Sequence, residues 1–247
     1  MLSLSTMASY RSGMCNLYSM TSSQQAIRDL TRSMRDNLGN LPPLPGIYPD
    51  YAAPIVRTSE DGVREMALAR WGMPSPAFAL QGKKTDPGVT NVRNTKSPHW
   101  RRWLSPEHRC LVPLTAFSEN ERDENGKIRP VWFALGESQP LAFFAGIWTN
   151  WTSVRKLKEG EVNADLYAFL TTDANAEVGV VHPKAMPVIL TEPDEWEGAI
   201  SSRAIPADMI KARTWAPPQR SLNYGNALTP SQRGLMEMLR CTRINPY

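Results

Sequence analysis

A cysteine directly after a methionine, at Met14-Cys15, places two nucleophiles on one residue if the mature chain begins there. Methionine removal before so small a residue would leave Cys15 with an α-amine and a thiol. The amine can form a Schiff base with an aldehyde, and the thiol can then close a five-membered thiazolidine on the same carbon. The bland alternative is a cysteine buried in a strand. Glu119 stands in PLTAFSENER beside Phe117. A carboxylate against an aromatic ring can have a raised pKa and act as an acid or base, or it can be a solvated hairpin residue. His182 lies in VVHPKAMPVIL between two apolar segments, with Pro183 fixing the backbone after it. It is either a satisfied structural histidine or a site residue. Asn91, following Pro87-Gly88-Val89-Thr90, is on its face an ordinary turn residue, and Cys110 before Leu111-Val112 reads as core.

Other chemistries have no local support. The three cysteines and three histidines are dispersed, with no CxxC, HExxH or close histidine pair, so no metal is expected. Walker A, GxGxxG and GxSxG patterns are absent, which argues against nucleotide cofactors and a serine elbow. Three cysteines in 247 residues exclude a disulfide scaffold and fit a reducing compartment. No apolar run is long enough to span a membrane. Segment 1–14 places its one basic residue, Arg11, after its few apolar ones, the wrong order for a secretory signal. Apolar residues at 41% and charged residues at 21% exclude a highly charged disordered chain.

The net charge of +4 is unevenly spread. Arg93, Lys96, Arg101, Arg102 and Arg109 face a single acid, Glu107, across 91–110, with Trp100 and Trp103 interleaved. Such a stretch can grip phosphates and stack bases. It can equally be a solvated edge over two core tryptophans. The segment 199–247 is basic as well.

These residues need elements to hold them. A short strand is expected over 14–20. Ser22-Ser23-Gln24-Gln25 reads as an N-cap and first turn, with Ile27, Leu30, Met34 and Leu38 at helical spacing and Gly39 as the stop. The prolines of LPPLPGIYPDYAAP (41–54) argue against regular helix or central strand. Ile55-Val56 and 66–71 read as strands joined at Glu60-Asp61-Gly62, and 71–88 as a long functional or mobile loop. A short helix is expected near 98–104, a strand from Cys110 and a hairpin over Phe117–Phe133 turning near 124–127. A central strand is expected in LAFFAGIWTNW (141–151), further strands at 167–172 and 185–190, and a helix start at 193–196. The class is α+β, with a curved, mostly antiparallel sheet.

Taken together, MCNLYS (14–19), PDYAAP (49–54), ARWGMPSP (69–76), TNVRNTKSP (90–98), RCLVPLTAFSE (109–119), FFAGIW (143–148), LTTDAN (170–175) and VHPKAMPVIL (181–190) resemble the SRAP family (SOS response-associated peptidase). The resemblance covers roughly 14–195. It implies a single α+β domain over 14–247, a barrel-like antiparallel sheet with flanking helices. It also implies binding of single-stranded DNA with covalent cross-linking to abasic sites in the DNA damage response. Cys15, Asn91, Glu119 and His182 match the family's catalytic residues. The implied roles are attack by the Cys15 amine, proton shuttling by Glu119, ring opening and imine chemistry assisted by His182, and positioning by Asn91. Arg93 matches an arginine that contacts the DNA backbone. Arg101 and Arg102 of the basic stretch, with Trp71 and Pro54, complete the expected DNA-contacting set. No cofactor and no membrane partner are implied. The expected state is a monomer in the cytoplasm, associated with the nucleoid.

The chain departs from the family in places. Members often begin Met-Cys-Gly-Arg-Phe where this chain has Met14-Cys15-Asn16-Leu17-Tyr18, so a phosphate contact is missing at Leu17. Tyr51-Ala52-Ala53-Pro54 stands for a common Asn-Val-Ala-Pro, and the tail after about 196 diverges. Two other functions compete: a thiol peptidase of broader range, and a non-covalent single-stranded DNA binding module. Residues 1–13 read as an unstructured leader or a mis-assigned translation start. In the first case the protein removes its own leader with Glu119 and His182; in the second translation begins at Met14. A persisting leader would leave binding without capture.

Overall fold

The computed structural model describes residues 15–201. The expected leader and nearly all of the divergent tail lie outside the described residues. From the amino end come β1 (Leu17–Met20), α1 (Gln24–Thr31), β2 (Arg35–Asp36), β3 (Leu44–Ile47), β4 (Ala52–Thr58), β5 (Arg64–Trp71), α2 (Ala77–Leu80) and β6 (Asn91–Val92). Then follow β7 (Arg109–Leu114), β8 (Ala116–Arg122), β9 (Ile128–Phe133), β10 (Ala142–Val154), β11 (Glu161–Thr172), α3 (Ala176–Gly179), β12 (Met186–Pro187), β13 (Ile189–Leu190) and α4 (Pro193–Ser201).

Five of these strands close into a barrel. β11, β10, β7, β4 and β5 pair antiparallel in that order, and a parallel pairing of Leu166 with Arg70 and Tyr167 with Trp71 joins β5 back to β11. Closure removes the edge that an open sheet would expose. The interior is tight enough to dictate sequence. A Cβ on Gly146 of β10 would sit 2.8 Å from Cys110 Sγ and 3.2 Å from Ala168 O, so only glycine fits between those neighbours. A second, four-stranded antiparallel sheet has the order β3-β1-β8-β9. The chain crosses between the two layers at Thr115, whose N–H donates to Ser19 O (2.8 Å). Between the layers lies an aromatic core of Tyr18, Trp71, Phe117, Phe144, Tyr167 and Phe169, all fully buried. Each such side chain contributes roughly 1.5–3 kcal/mol over its exposed state.

Three sequence expectations need correction. Ser23 caps α1 as its side chain suggests, accepting from Ala26 N–H (3.1 Å), and Ile27 anchors the helix in the core. The helix ends at Thr31, however, well before Gly39. Arg32 turns left-handed (φ 51°) and Ser33 N–H reaches back to Arg28 O. Arg35 and Asp36 then pair with β5, where Arg35 meets Glu65 and Asp61, and this pairing overrides the helical spacing of Met34 and Leu38. The proline-rich 41–54 holds two strand pieces. β3 contains Pro45 but is an edge strand, and Pro54 lies in β4 where only β5 pairs with it, so neither missing N–H breaks a ladder. The helix expected near 98–104 is a single 3-10 turn, Arg101–Trp103.

Candidate active site

Cys15 is placed by strand register. Leu17 pairs with Ser118 in the β1–β8 ladder, so the residues leading into β1 run alongside Glu119. The Cys15 N–H donates to Glu119 Oε1 at 3.0 Å, and the Cys15 carbonyl accepts from Asn91 Nδ2 at 3.2 Å. Both main-chain groups of one residue are thus held by side chains 104 and 76 positions away in the sequence. Asn91 opens β6, paired in parallel with β11 opposite Phe169, and its amide also donates to Thr90 Oγ1 (2.9 Å). Trp71 Nε1 donates to Thr90 O (3.1 Å), which fixes the turn that aims Asn91.

Glu119 is only 2% exposed. Burial pushes its carboxyl up to about 8, partly offset by the Cys15 N–H. Its Oε2 is buried with no partner. Burial first, and Glu119 second, push the Cys15 thiol well up, and Sγ lies 3.6 Å from the Leu17 carbonyl. The thiol is therefore held protonated until its surroundings change.

His182 arrives on a different segment. Asn175 caps α3 by accepting from Val178 N–H (2.9 Å), and His182 N–H closes the turn onto Val178 O (2.8 Å). The ring Nδ1 lies 2.9 Å from Ala185 O. A carbonyl only accepts, so Nδ1 carries a proton and donates it there, which leaves Nε2 as the nitrogen free for other chemistry. That Nε2 is buried without a partner. The chain then wedges between β10 and β11: Val188 N–H donates to Leu170 O, and Ala145 N–H donates to Val188 O. β6 pairs with β11 at Phe169–Leu170 and β12 pairs at Thr171–Thr172, so Asn91 and the His182 segment follow one another along the end of β11. Cys15, Glu119 and Asn91 are joined directly; His182 makes no hydrogen bond to them.

The expected DNA-contacting residues divide. Arg93, Arg101 and Arg102 are exposed, Arg93 in an ion pair with Asp173 and Arg102 over the Trp103 ring (5.1 Å). Trp100 and Trp103 are core residues, packed with His99, which is hydrogen-bonded to Pro74 O. Trp71 and Pro54 are buried, Trp71 wholly, among Tyr18, Tyr167 and Phe169. Neither offers a face to a nucleic-acid strand, which corrects that part of the expectation. Phe78, which no sequence motif singles out, is 76% exposed on α2, with exposed Lys83 and Lys84 after it. Among the described residues no group of histidine, cysteine and carboxylate side chains could hold a metal, and no helix is long and apolar enough to cross a membrane.

A family model described as SOS response associated peptidase (SRAP) matches residues 14–223. A crystal structure of a protein from Bordetella bronchiseptica is similar at 22% identity and a TM-score of 0.59, covering 82% of this chain and 95% of that one. A protein from Bacteroides thetaiotaomicron follows at 20% and 0.58, covering 79% and 85%. A phage-related protein of B. bronchiseptica stands at 19% and 0.54, covering 77% and 84%. At these identities the likeness is one of fold. No curated protein matches the chain.

Proposed function

Because the chain belongs to the SOS response associated peptidase (SRAP) family, we propose that it captures the aldehyde of abasic sites in single-stranded DNA as a thiazolidine on Cys15. The observation that carries this reading is the grip on Cys15. Its nitrogen lies 3.0 Å from a buried carboxyl poised near 8, and its carbonyl is fixed by Asn91. Once Cys15 is the first residue, its α-amine stands within hydrogen-bond reach of this carboxyl, the geometry that proton exchange between the two requires.

The steps balance. The neutral amine adds to C1′ of the open sugar, one of its protons passing to the new oxygen, and the resulting hydroxyl leaves as water with a proton from Glu119, giving an iminium. Sγ then adds to the same carbon, and its proton returns to Glu119. One water is released and no oxidant or reductant is consumed. His182 Nε2 takes the proton of the C1′ hydroxyl as the sugar ring opens and returns one to the ring oxygen. In the chain as written the Cys15 nitrogen is an amide. The form that acts in this reading is the one beginning at Cys15. A peptidase of broad range is less well supported: Sγ faces the Leu17 carbonyl rather than a histidine, and burial keeps the thiol protonated.

The test is cross-linking of the chain beginning at Cys15 to an abasic single-stranded oligonucleotide, followed on a denaturing gel without borohydride. Wild type is expected to form a stable adduct, Cys15→Ser none, and His182→Ala an adduct roughly 10²-fold more slowly. Binding to intact oligonucleotide should survive in both variants. A full-strength adduct from Cys15→Ser, or from protein whose mass still includes residues 1–14, refutes the mechanism.

A further inference from the structure

The nucleophile and its partners sit on different sheets. Cys15 and Glu119 belong with the four-stranded sheet, Asn91 and the His182 segment with the barrel. Apolar ring contacts between the layers are weakly directional, whereas a hydrogen bond fixes both a distance and a direction. Asn91 to the Cys15 carbonyl is one such link, at the site itself. A second lies at depth: the hydroxyls of Tyr18 and Tyr167 are 2.5 Å apart.

Both tyrosines are 0% exposed. Tyr18 meets Trp71, Phe144 and Phe169 edge to face, and Tyr167 stacks on Trp71. Two phenylalanines would fill this place almost as well. A single buried hydroxyl without its mate would cost about 1–3 kcal/mol. The pair is thus tolerated as a pair, and what it adds over packing is a fixed separation and direction. Tyr18 is three residues from Cys15. Tyr167 is two residues before Phe169, the register partner of Asn91, and its carbonyl accepts from Gly72 N–H (2.7 Å) at the start of the loop that leads to Asn91.

We infer that the Tyr18–Tyr167 hydroxyl pair positions the reaction centre, locking the strand that carries Cys15 to the barrel strand that carries the Asn91 side. This rests on the reading of Cys15 as the capturing residue. The pair acts through Cys15 and touches no substrate. Burial raises both phenols, so the link stays neutral and intact across the working pH range.

The test uses Tyr18→Phe, Tyr167→Phe and the double variant. Either single change orphans a hydroxyl and lowers stability. The double change leaves none, so its urea midpoint returns to near the wild-type value. For the chain beginning at Cys15, the double variant is expected to cross-link roughly tenfold more slowly with unchanged affinity for intact oligonucleotide. A pair that served packing alone would let the rate recover together with the stability, and a double variant that cross-links at the wild-type rate overturns the inference. A wild-type protein that forms no cross-link at all refutes the functional reading instead. The pair is then decided by the titration midpoint of Glu119 in the full chain, followed by carboxyl NMR. A shifted midpoint in the double variant upholds the inference, because the carboxyl then no longer has the Cys15 N–H that lowers it, or has gained water in its place. An unchanged midpoint overturns it.

Discussion

Two carboxylates in this molecule are almost equally buried, and they are treated in opposite ways. Asp86, in the loop after β5, is 6% exposed and surrounded by donors. Ser75 Oγ (2.5 Å) and Gly88 N–H (2.7 Å) donate to Oδ1, and Ser75 N–H (3.0 Å) donates to Oδ2. The Arg155 guanidinium stands 3.9 Å from Oδ1 and also bonds the carbonyls of Gly72 and Asp86 itself. Glu119 is 2% exposed and receives one N–H, from Cys15, with its other oxygen bare. Asp86 has its charge compensated and so serves as a structural clamp. Glu119 lacks a counter-ion, so it keeps a proton that it can give away. Burial alone does not mark a functional carboxylate; burial with too few partners does.

The largest effect should come from stripping the clamp. Arg155→Met leaves Asp86 buried without its cation, and breaking a buried pair this way costs about 3–5 kcal/mol. Gly88→Ala tests the same contact from the other side. Its Cβ would fall 2.0 Å from Arg155 Nη1, at a backbone φ of +75° that also disfavours a side chain. Urea unfolding should show both variants strongly destabilised. Near-wild-type midpoints would mean that Asp86 is no better compensated than Glu119, and the contrast would collapse.

The second effect is smaller and runs with pH. Glu119 holds its proton to about 8 in the folded chain against 4.5 ordinarily. Below the lower value both states are protonated and the group adds no slope. Between the two values the folded chain keeps a proton that the unfolded chain has lost, so stability falls as pH rises. Above about 8 the fall is complete. The slope approaches ~1.4 kcal/mol per pH unit in mid-window, a few kcal/mol in all. Glu119→Gln should remove it. Unfolding measured at several pH values should show wild type losing stability relative to the variant across this window. Parallel curves would place Glu119 with the compensated carboxylates.

Much of this contrast is invisible in the sequence, for a physical reason. Strands announced by local pattern were legible: the hairpin of β8 and β9, the apolar run of β10 and the Ser23 cap each depend on neighbours a few residues away. The end of α1 was not, because the pairing of Arg35 with Glu65 outweighs local spacing. Trp71 looked as available as any aromatic beside a loop, and only closure of the barrel buries it. Arg155 gives no local sign, since its partners lie 69 and 83 positions away. Cys15, Glu119 and His182 stand out in the sequence by their own chemistry and Asn91 only by resemblance, whereas contact among Cys15, Glu119 and Asn91 follows from the β1–β8 and β6–β11 registers. The raised Glu119 pKa was legible in part, through its neighbour Phe117.

The smallest expected effect concerns arginines that, unlike Arg155, have solvent around them. Arg93, Arg101 and Arg102 are exposed, and Arg93, two residues after Asn91, is tied only to a carboxylate, Asp173, whose side chain is 86% exposed. An ion pair so open is worth about 0–1 kcal/mol, so a phosphate can displace Asp173 at little cost. Each arginine that neutralises a phosphate of single-stranded DNA should contribute about −0.7 to the slope of log affinity against log salt. Replacing one by alanine should therefore make the slope shallower by roughly that amount and leave the fold untouched. Arg155→Met, by contrast, should act through folding, with the salt slope of the remaining folded protein nearly unchanged. Arg101 and Arg102 follow one another in a single 3-10 turn and project differently, and Arg102 already leans on Trp103. Arg101→Ala and Arg102→Ala are thus expected to differ, with the larger change marking the arginine that meets the strand. Salt titrations of oligonucleotide binding by fluorescence anisotropy measure these slopes. A wild-type affinity that is flat with salt would remove all three arginines from the interface.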